Sequence, residues 1–414
     1  MIKVCDAIMG SGKSSAAITY MNEHSDDKFI YITPYLEEAG RIKEQCPALC
    51  FVEPSSDRYE FRHSKILHTI GLIHDGENIT TTHQAFKRYS KEMLDDIKKQ
   101  GYTLILDENI SMLDKTKLKT TDFNLMLDQG WILENDGVCS SNKTKLYDGA
   151  IFENIFNILN SRNLIRVKDE NESEFFYWIM PPEFLSAFKE VFILTYLFKG
   201  QTLYYFTEIN GLKFDYIGVK RTNDGTYRFC ENTEYTPDYV KSLKDKINIL
   251  NRESLNRIGD DRCALSMNWF KKGGERLNKL KRNIYNVFKN VWGDSPVNER
   301  LWGGYKIGYQ KIKGKGYTKA FLSFNARATN KYRNRKYLAY TANVFMNTNE
   351  RRLYNKFGIE VDEDMYALSF MLQWIWRSAI RDGKEIYIYV PSSRMRNLLT
   401  EWIENVSKQR GGEI

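Results

Sequence analysis

The sequence predicts an α/β fold in which parallel sheets are flanked by helices and the chain is divided into two domains. Short apolar runs, typical of buried strands, alternate with helical segments along the first 200 residues, and this alternation indicates a parallel sheet. The length of 414 residues allows more than one hydrophobic core. The alternation returns after residue 320. We therefore expect a second, smaller α/β domain in the carboxyl-terminal half.

The first domain is predicted over residues 1–200. Asn210-Gly211 is a pair that favours tight turns, and it predicts a β-hairpin around these two residues, directly after the first domain. A helix is expected near 148–160, and 181–198 is predicted as a helix running into a fifth strand. The first four strands are expected within 2–8, 29–35, 78–86 and 102–110, and the third of these segments is predicted as a strand running into a helix.

The second domain is predicted over residues 201–414. Helical segments at 237–258 and 265–291, followed by glycine-rich basic sequence, predict a helical and basic insertion over about 237–318. The remaining elements are expected to be a strand at 320–325, helices at 334–346 and 365–381, a strand at 385–390 and a terminal helix.

Positive charge is concentrated in one part of the chain. The sequence carries 61 Lys+Arg and 53 Asp+Glu, a net charge of +8, but residues 262–336 alone hold 19 basic and 3 acidic residues. Cations that follow a phosphate backbone, together with rings that stack on bases, are typical of single-stranded nucleic-acid binding. A solvated basic face over an aromatic core would give the same composition. The rings are Trp269, Tyr285, Trp292, Trp302, Tyr305, Tyr309, Tyr317 and Tyr332.

Composition excludes several classes of protein. An aromatic content of 14% supplies enough apolar surface to exclude intrinsic disorder as the main state. No apolar run reaches the roughly 18 residues that span a bilayer, and the first residues lack the pattern of a signal peptide. Six sparse cysteines indicate reduced thiols rather than a disulfide scaffold. We therefore expect a soluble, cytoplasmic protein with no membrane partner.

Four residues match the spacing of a two-cysteine, two-histidine zinc site, namely Cys46, Cys50, His63 and His68. The segment between them contains Pro54, lacks the apolar pair of a zinc finger and falls between two predicted strands. The preferred interpretation is that these are incidental, reduced thiols. Structural zinc is the alternative.

A glycine-rich loop follows the first predicted strand and precedes the first predicted helix. Backbone N–H groups of such a loop surround a phosphate, and its glycines allow close approach. We expect Lys13 to supply positive charge and the Ser14 hydroxyl to ligate Mg²⁺. The loop therefore predicts a nucleotide-binding site. Its residues are Gly10, Ser11, Gly12, Lys13, Ser14 and Ser15.

Two acids end the fourth predicted strand. The apolar run 104–106 is followed directly by Asp107 and Glu108. In an NTPase, Asp107 would hold Mg²⁺ through water and Glu108 would polarise the attacking water. Paired acids after a strand are common, so this prediction depends on the phosphate loop in the same chain.

A third pattern lies in the predicted helix 365–381. Gln373, Arg377 and Arg381 are spaced by four residues and would share one face of that helix. Two guanidinium groups directed at a γ-phosphate would stabilise the charge that develops in phosphoryl transfer. The alternative is an amphipathic helix whose arginines are solvated.

In combination, these motifs resemble those of superfamily 2 DNA helicases, particularly the short helicase-like ATPases encoded by phages. The loop pattern from Ala7 to Ser14, with alanine where the common phosphate loop has glycine, is the variant found in helicases of superfamilies 1 and 2. The arginine segment resembles the arginine-finger motif of the family, with Trp376 where glycine is usual. The acid sequence at 107–110 is not that of the DEAD-box RNA branch, so the DNA-directed branches are nearer.

The resemblance implies two RecA-like domains that bind ATP and Mg²⁺ in a cleft between them. It assigns a coupling role to Thr195, although Tyr196 replaces the usual small residue. It also implies contacts to DNA from both domains. The residues carried over as DNA contacts are Thr33, Pro34, Thr82, His83, Arg327, Thr329 and Asn330.

The predicted function is an ATP-dependent helicase or translocase acting on single-stranded or forked DNA in phage replication or recombination, with replication proteins as further partners. The alternative is a replication-accessory ATPase that clamps DNA or recruits a replicative helicase without processive unwinding. A packaging ATPase with a nuclease domain is disfavoured, because the acids at 360–364 fall in one short segment. Since the loop pattern begins at residue 7, the sequence does not predict specificity for adenine.

Overall fold

A computed structural model describes residues 1–34, 36–231, 238–326 and 331–408. The chain forms two compact units. Unit 1 comprises residues 1–7, 12–232 and 347–361, and unit 2 comprises 8–11, 233–346 and 362–414. Both are α/β units with a parallel sheet, so the predicted fold class is confirmed.

The strands of unit 1 are β1 (Ile2–Asp6), β2 (Phe29–Thr33), β3 (Ile79–Thr82), β4 (Thr103–Asp107), β5 (Leu113–Lys115), β6 (Ile132–Asn135), β7 (Val138–Ser141), β8 (Asn163–Lys168), β9 (Glu174–Ile179), β10 (Glu190–Thr195), β11 (Phe214–Arg221) and β12 (Tyr227–Cys230). The strands of unit 2 are β13 (Ile247–Ile249), β14 (Arg300–Gly304), β15 (Phe321–Ser323), β16 (Tyr337–Tyr340) and β17 (Ile386–Tyr389).

The helices, in chain order, are α1 (Lys13–Glu23), α2 (Leu36–Gln45), α3 (Lys65–Asp75), α4 (His83–Phe86), α5 (Lys91–Gln100), α6 (Thr120–Asp128), α7 (Glu153–Leu159), α8 (Glu183–Ser186), α9 (Thr202–Ile209), α10 (Asp238–Lys241), α11 (Leu243–Lys246), α12 (Glu253–Asn256), α13 (Met267–Lys272), α14 (Glu275–Asn286), α15 (Lys306–Ile312), α16 (Thr348–Lys356), α17 (Glu363–Ile375) and α18 (Ser393–Lys408). No helix in the described ranges combines the length and apolarity needed to cross a membrane.

The main sheet of unit 1 has the strand order β12-β11-β1-β10-β4-β2-β3. All neighbouring strands from β11 to β3 are parallel, and β12 is antiparallel to β11. β2 is buried along its whole length, and β4 is buried up to its last residue. Strands covered on both faces read as continuous apolar runs, which is why the sequence predicted them correctly.

A second sheet of unit 1 is absent from the sequence prediction. Between β4 and β10 the chain forms an antiparallel sheet in the order β5-β9-β8-β7-β6. It has its own core, which includes Phe123, Phe176 and Trp178. Within this region the sequence predicted α7, near 148–160, and the helix that precedes β10, but none of the five strands. Its strands are three to six residues long, and β6 and β7 mix polar with apolar positions, so these two give weak periodic signals.

The predicted hairpin at Asn210-Gly211 is wrong. Residues 202–209 form α9, and these two residues close that helix. Gly211 has a left-handed φ of 58°, and the N–H of Leu212 donates to the carbonyl oxygen of Thr207 at 2.9 Å. Asn-Gly favours left-handed backbone at the end of a helix as well as in a hairpin turn. The hairpin lies further on, between β11 and β12.

The division near residue 200 also needs correction. β11 pairs with β1, and β12 extends the same sheet, so the chain remains in unit 1 to residue 232. Residues 347–361, with α16, return to unit 1, where the Tyr354 ring lies 4.9 Å from that of Tyr205. A single boundary therefore does not describe the two units.

The sheet of unit 2 has the order β13-β17-β16-β14-β15, with every pair parallel. The segment 237–318 is not an insertion, because it supplies two of these strands, β13 and β14. The predicted helix 334–346 is also wrong, since β16 is hydrogen-bonded between β14 and β17. A short apolar run does not distinguish a buried strand from a buried helix by periodicity.

Candidate functional site

The glycine-rich loop lies between the end of β1 and the start of α1, as predicted. Gly10 and Gly12 have φ values of 82° and 94°, a left-handed backbone that favours glycine. Gly12 is also restricted by packing, because a Cβ atom there would lie 2.1 Å from Cδ1 of Tyr227 on β12. The structure therefore accounts for glycine at both positions.

Asp107 is the centre of a hydrogen-bonded cluster in unit 1. The Ser14 hydroxyl lies 3.3 and 3.2 Å from its two carboxylate oxygens, and the Tyr31 hydroxyl donates to Oδ2 at 2.9 Å. Nε2 of His83 lies 3.0 Å from the backbone oxygen of Asp107. Nζ of Lys13 donates to the carbonyl oxygen of Ala7. The first turn of α1 and the end of β4 are thus in direct contact.

Burial changes the acid–base properties of this cluster. It raises the pKa of Asp107 to about 6; the negative charge of Glu108 acts in the same direction, and the hydrogen bond from Tyr31 opposes it. Burial also lowers the pKa of Lys13, against the opposing effects of Cys5, Asp107 and other acidic groups. Perturbed acids and bases concentrate at functional sites, so this cluster is the candidate site of unit 1.

The oxygen atoms of the cluster fit a magnesium ion. Mg²⁺ is commonly held by one or two carboxylates together with substrate phosphates and water. The Ser14 hydroxyl and the Asp107 carboxylate are oxygen ligands already in contact. No group of three or more His, Cys, Asp or Glu side chains suited to a metal occurs in the described residues.

Glu108 has an unusual backbone. Its φ of 67° is left-handed for a residue other than glycine, and its N–H donates to the carbonyl oxygen of Leu194 at 3.1 Å. Such strained positions persist only where the surrounding structure enforces them, and they concentrate at functional sites. The hydrogen bond to Leu194, at the end of β10, thus holds the backbone of Glu108 in this conformation.

The loop after β10 is tied to β1 by a residue that the sequence analysis missed. The carboxylate of Asp6 accepts hydrogen bonds from the N–H groups of Leu197 and Phe198 at 2.7 and 2.9 Å. Thr195 donates to Oε1 of Gln201 at 2.7 Å. An acid at the end of an apolar strand, directly before a glycine-rich loop, was the available signal for Asp6. Tyr31 offered none, because an apolar strand conceals its hydroxyl.

Of the four residues predicted to contact DNA from the first domain, Thr82 and His83 have hydrogen bonds within unit 1. Thr33 is buried at the end of β2, next to Pro34. The Thr82 hydroxyl caps α4 by accepting from the N–H of Ala85 at 3.3 Å, and His83 contacts Asp107 as described. The other predicted contacts, Arg327, Thr329 and Asn330, lie outside the described residues.

Gln373, Arg377 and Arg381 do not share the face of one helix. α17 ends at Ile375, where the Ser378 hydroxyl donates to the Ile375 carbonyl at 2.6 Å. The N–H of residue 379 donates to the backbone of residue 335 rather than to a helical partner. Serine competes for backbone groups in this way and favours helix ends. As a result Arg377 is 7% exposed, whereas Arg381 is exposed in a 3₁₀ turn.

The aromatic rings of the basic stretch in unit 2 are in part buried in the core and in part exposed. Trp302, Tyr305 and Tyr317 are buried in the core, and each donates a hydrogen bond to a backbone carbonyl. They are not available to stack on bases, so for these three the aromatic-core interpretation is correct. Tyr285 on α14 is exposed. The exposed cations of α13 and α14 include Lys271, Lys272, Lys279, Lys281 and Arg282.

The residues with zinc-finger spacing have other contacts. Cys46 is buried in the core of unit 1, and Cys50 is exposed. Nδ1 of His68 accepts from the N–H of Ser55 at 3.0 Å, and its ring stacks on Phe61 at 4.7 Å.

The fold and this cluster define the class: an α/β protein in which a glycine-rich strand–loop–helix contacts an acidic strand end. A family model described as the YonV C-terminal Rossmann-like domain matches residues 241–403. The SPbeta prophage-derived uncharacterized protein YonV of Bacillus subtilis (strain 168) is 39% identical over 416 residues, which cover 98% of this chain and 99% of that protein. The chain therefore belongs to the YonV family.

Solved structures of helicases resemble the chain more distantly. S. tokodaii Xpd4 has a TM-score of 0.44 and 11% identity, with coverage of 97% of this chain and 94% of that one. An XPD helicase has a TM-score of 0.41 and 9% identity, with coverage of 97% of this chain and 94% of that one. A DEAD box protein from Methanococcus jannaschii has a TM-score of 0.26 and 11% identity, with coverage of 99% and 86%. At these TM-scores the likeness does not extend to activity.

Proposed function

We propose that the protein is an ATP-dependent DNA helicase or translocase. The observation that supports this most directly is the contact in unit 1 between one residue of each motif, in which the Ser14 hydroxyl lies 3.2 Å from the Asp107 carboxylate. A hydroxyl at the first turn of a helix and an acid at the end of a buried strand are the pair that holds Mg²⁺ in phosphate-loop NTPases. The motifs lie 93 residues apart, so their contact is a feature of the fold.

The glycine-rich loop, Ser14 and the two acids each have a role in this proposal. Lys13 and the backbone of Gly10 to Ser15 would bind the phosphates, because the loop backbone can approach closely where glycine lacks a side chain. Ser14 and Asp107 would hold Mg²⁺, which neutralises charge on the phosphates when bound. Glu108 would accept a proton from the attacking water.

The nucleic-acid part of the proposal rests on charge. Exposed cations on α13 and α14, with the exposed ring of Tyr285, form a basic surface of unit 2. Such surfaces bind phosphate backbones with little sequence preference. The relative in Bacillus subtilis is prophage-derived, and we place the proposed activity in phage DNA metabolism. A cytoplasmic location and replication proteins as partners are further parts of the proposal.

The test is nucleic-acid-stimulated hydrolysis. We expect the wild-type protein to hydrolyse ATP with Mg²⁺, faster with single-stranded DNA than with duplex DNA or RNA. Lys13→Ala should reduce turnover on the order of 10³-fold, since it removes a charge directed at the phosphates. Lys3→Ala, on β1 but outside the loop, is the matched control and should remain active.

The outcomes separate the alternatives. Equal activity of Lys13→Ala and wild type would reject the nucleotide site. Hydrolysis of ATP without displacement of a DNA strand would favour a clamp or loader over a helicase.

A further inference from the structure

We propose that the hairpin of β11 and β12 binds the base of the nucleotide without selecting one base, so that the substrates are nucleoside triphosphates in general. The inference rests on the proposed function, which supplies the nucleotide, and it names the substrate class of that same site. Its two residues are Arg221 and Tyr227, which face each other across the hairpin as a cross-strand pair. Neither residue belongs to the motifs described above.

The Tyr227 ring lies directly against the glycine-rich loop. A Cβ atom on Gly12 would lie within 2.6 Å of three atoms of this ring, so the ring contacts the residue that precedes Lys13. The guanidinium of Arg221 lies over the same ring, with its carbon atom 5.8 Å from the ring centroid. An aromatic ring and a cation are therefore held beside the loop that is proposed to bind the phosphates.

The order of strands places this pair on the side of the loop where the base is expected. β4, which carries Asp107, lies two strands from β1 in one direction, and β12 lies two strands from β1 in the other. The terminal phosphate is proposed to lie beside Asp107 with Mg²⁺. Because the nucleoside is at the opposite end of the triphosphate, it extends away from β4, on the side of β12.

The hairpin is held in place by α1 and by the main sheet. Arg228 of β12 forms an ion pair with Glu23 of α1 at 2.5 Å. The ring of Phe229 stacks on that of Phe192, with the two centroids 5.1 Å apart. A flat ligand that binds to a surface fixed in this way loses less conformational entropy than one that must order a loop.

The chemistry of the pair indicates that no single base is preferred. Every base presents a π-face to an aromatic ring, and an arginine side chain has five N–H donors but no acceptor. Bases are distinguished by their patterns of donors and acceptors, so a reader needs groups of both kinds. The acid in the turn of the hairpin, Asp224, already accepts from the hydroxyl and the N–H of Thr226 at 2.7 and 3.1 Å.

The test measures equilibrium binding of ATP, GTP, UTP and inorganic tripolyphosphate, each with Mg²⁺. We expect wild-type protein to bind the three nucleotides within about threefold of one another, because stacking accepts any base. Tripolyphosphate should bind about tenfold more weakly, because it lacks the base. Tyr227→Ala should reduce this ratio of affinities toward one. Tyr227→Phe, which retains the ring, should restore the preference for nucleotides.

The cation has a matched control on the same strand. Arg221→Ala should lower the ratio of nucleotide to tripolyphosphate affinity about threefold, since it removes the guanidinium and leaves the ring. Lys220→Ala removes a neighbouring positive charge whose exposed side chain is on the opposite face of β11, and should keep the wild-type ratio.

Three results would overturn the inference. They are a preference of wild-type protein for one nucleotide by more than about tenfold, a wild-type ratio near one, and an unchanged ratio in Tyr227→Ala, which would mean that the ring only packs on the loop. Lys13→Ala separates these results from a failure of the proposed function. If Lys13→Ala loses tripolyphosphate binding, the phosphate site stands even where the base has no effect, whereas wild-type protein that binds none of the four ligands would reject both.

Discussion

The cluster around Asp107 and the arginine segment 373–381 show two ways of arranging polar groups. In unit 1, Ser14, Tyr31 and Asp107 belong to different elements and meet within hydrogen-bonding distance. In unit 2, Arg377 and Arg381 are close in sequence but differ in environment, because α17 ends before either of them. Ends of parallel strands meet at one edge of a sheet whatever lies between them, whereas a helix aligns side chains only as far as it continues.

The largest expected effect separates the two arginines. If the segment acts on nucleotide, the exposed Arg381 is the residue that does so, and Arg381→Ala should lower kcat about 10³-fold with little change in KM. Steady-state ATP hydrolysis with saturating single-stranded DNA measures this, with the exposed neighbour Lys384→Ala as control. Wild-type kcat in Arg381→Ala would remove the segment from catalysis and leave the Asp107 cluster as the catalytic centre.

Glu108→Gln tests the acids at the end of β4, in the first of the two regions compared. Loss of a general base should reduce turnover about 10²-fold or more, while ATP binding persists because Lys13, Ser14 and Asp107 remain. Binding of ATP and single-turnover hydrolysis distinguish the two steps. Glu37→Gln, an exposed position on α2, is the control. Unchanged turnover would mean that another group accepts the proton.

Arg377→Ala should act on stability rather than on chemistry. Arg377 is 7% exposed, and truncation of a buried polar side chain costs about 1–3 kcal/mol. The free energy of unfolding from chemical denaturation should fall by this amount, whereas Arg381→Ala should change it by less than about 0.5 kcal/mol. Equal losses in both variants would contradict the difference in environment.

The smallest effect concerns the pKa of Asp107. The Tyr31 hydrogen bond lowers it and the charge of Glu108 raises it, so Tyr31→Phe should move the pKa above about 6 and Glu108→Gln should move it below. Asp107 then remains protonated to higher pH in Tyr31→Phe and ionises at lower pH in Glu108→Gln. NMR titration of the carboxyl carbons in metal-free protein follows this directly. Shifts in the same direction would contradict the arrangement described.

The sequence was most informative where a motif directly follows an apolar strand along the chain. The strand before the glycine-rich loop and the apolar strand before Asp107 were predicted, and parallel topology then brought Ser14 to Asp107. Tyr31 and Asp6 were missed because their roles depend on which strands are neighbours in the sheet. The residues of β16 were predicted as a helix because pairing, rather than periodicity, determines their conformation.

Turn residues were the other source of error. Asn210-Gly211 has the composition of a hairpin turn but ends α9, since left-handed backbone is needed in both places. Ser378 ends the regular spacing of the arginines because its backbone is extended, with φ −95° and ψ −169°, which no periodic pattern records. The second sheet was missed for a related reason, because short strands of mixed polarity resemble loops.

The return of residues 347–361 to unit 1 affects how the protein is made. On a ribosome, β1 to β12 are synthesised well before α16, and most of unit 2 is synthesised between them. Until α16 emerges, Tyr205 lacks the ring of Tyr354, and Glu170 lacks the guanidinium of Arg352 that lies 2.8 Å away. Domains usually fold in the order of their synthesis. Here the amino-terminal unit cannot be completed first, so the two units must finish folding in overlapping time.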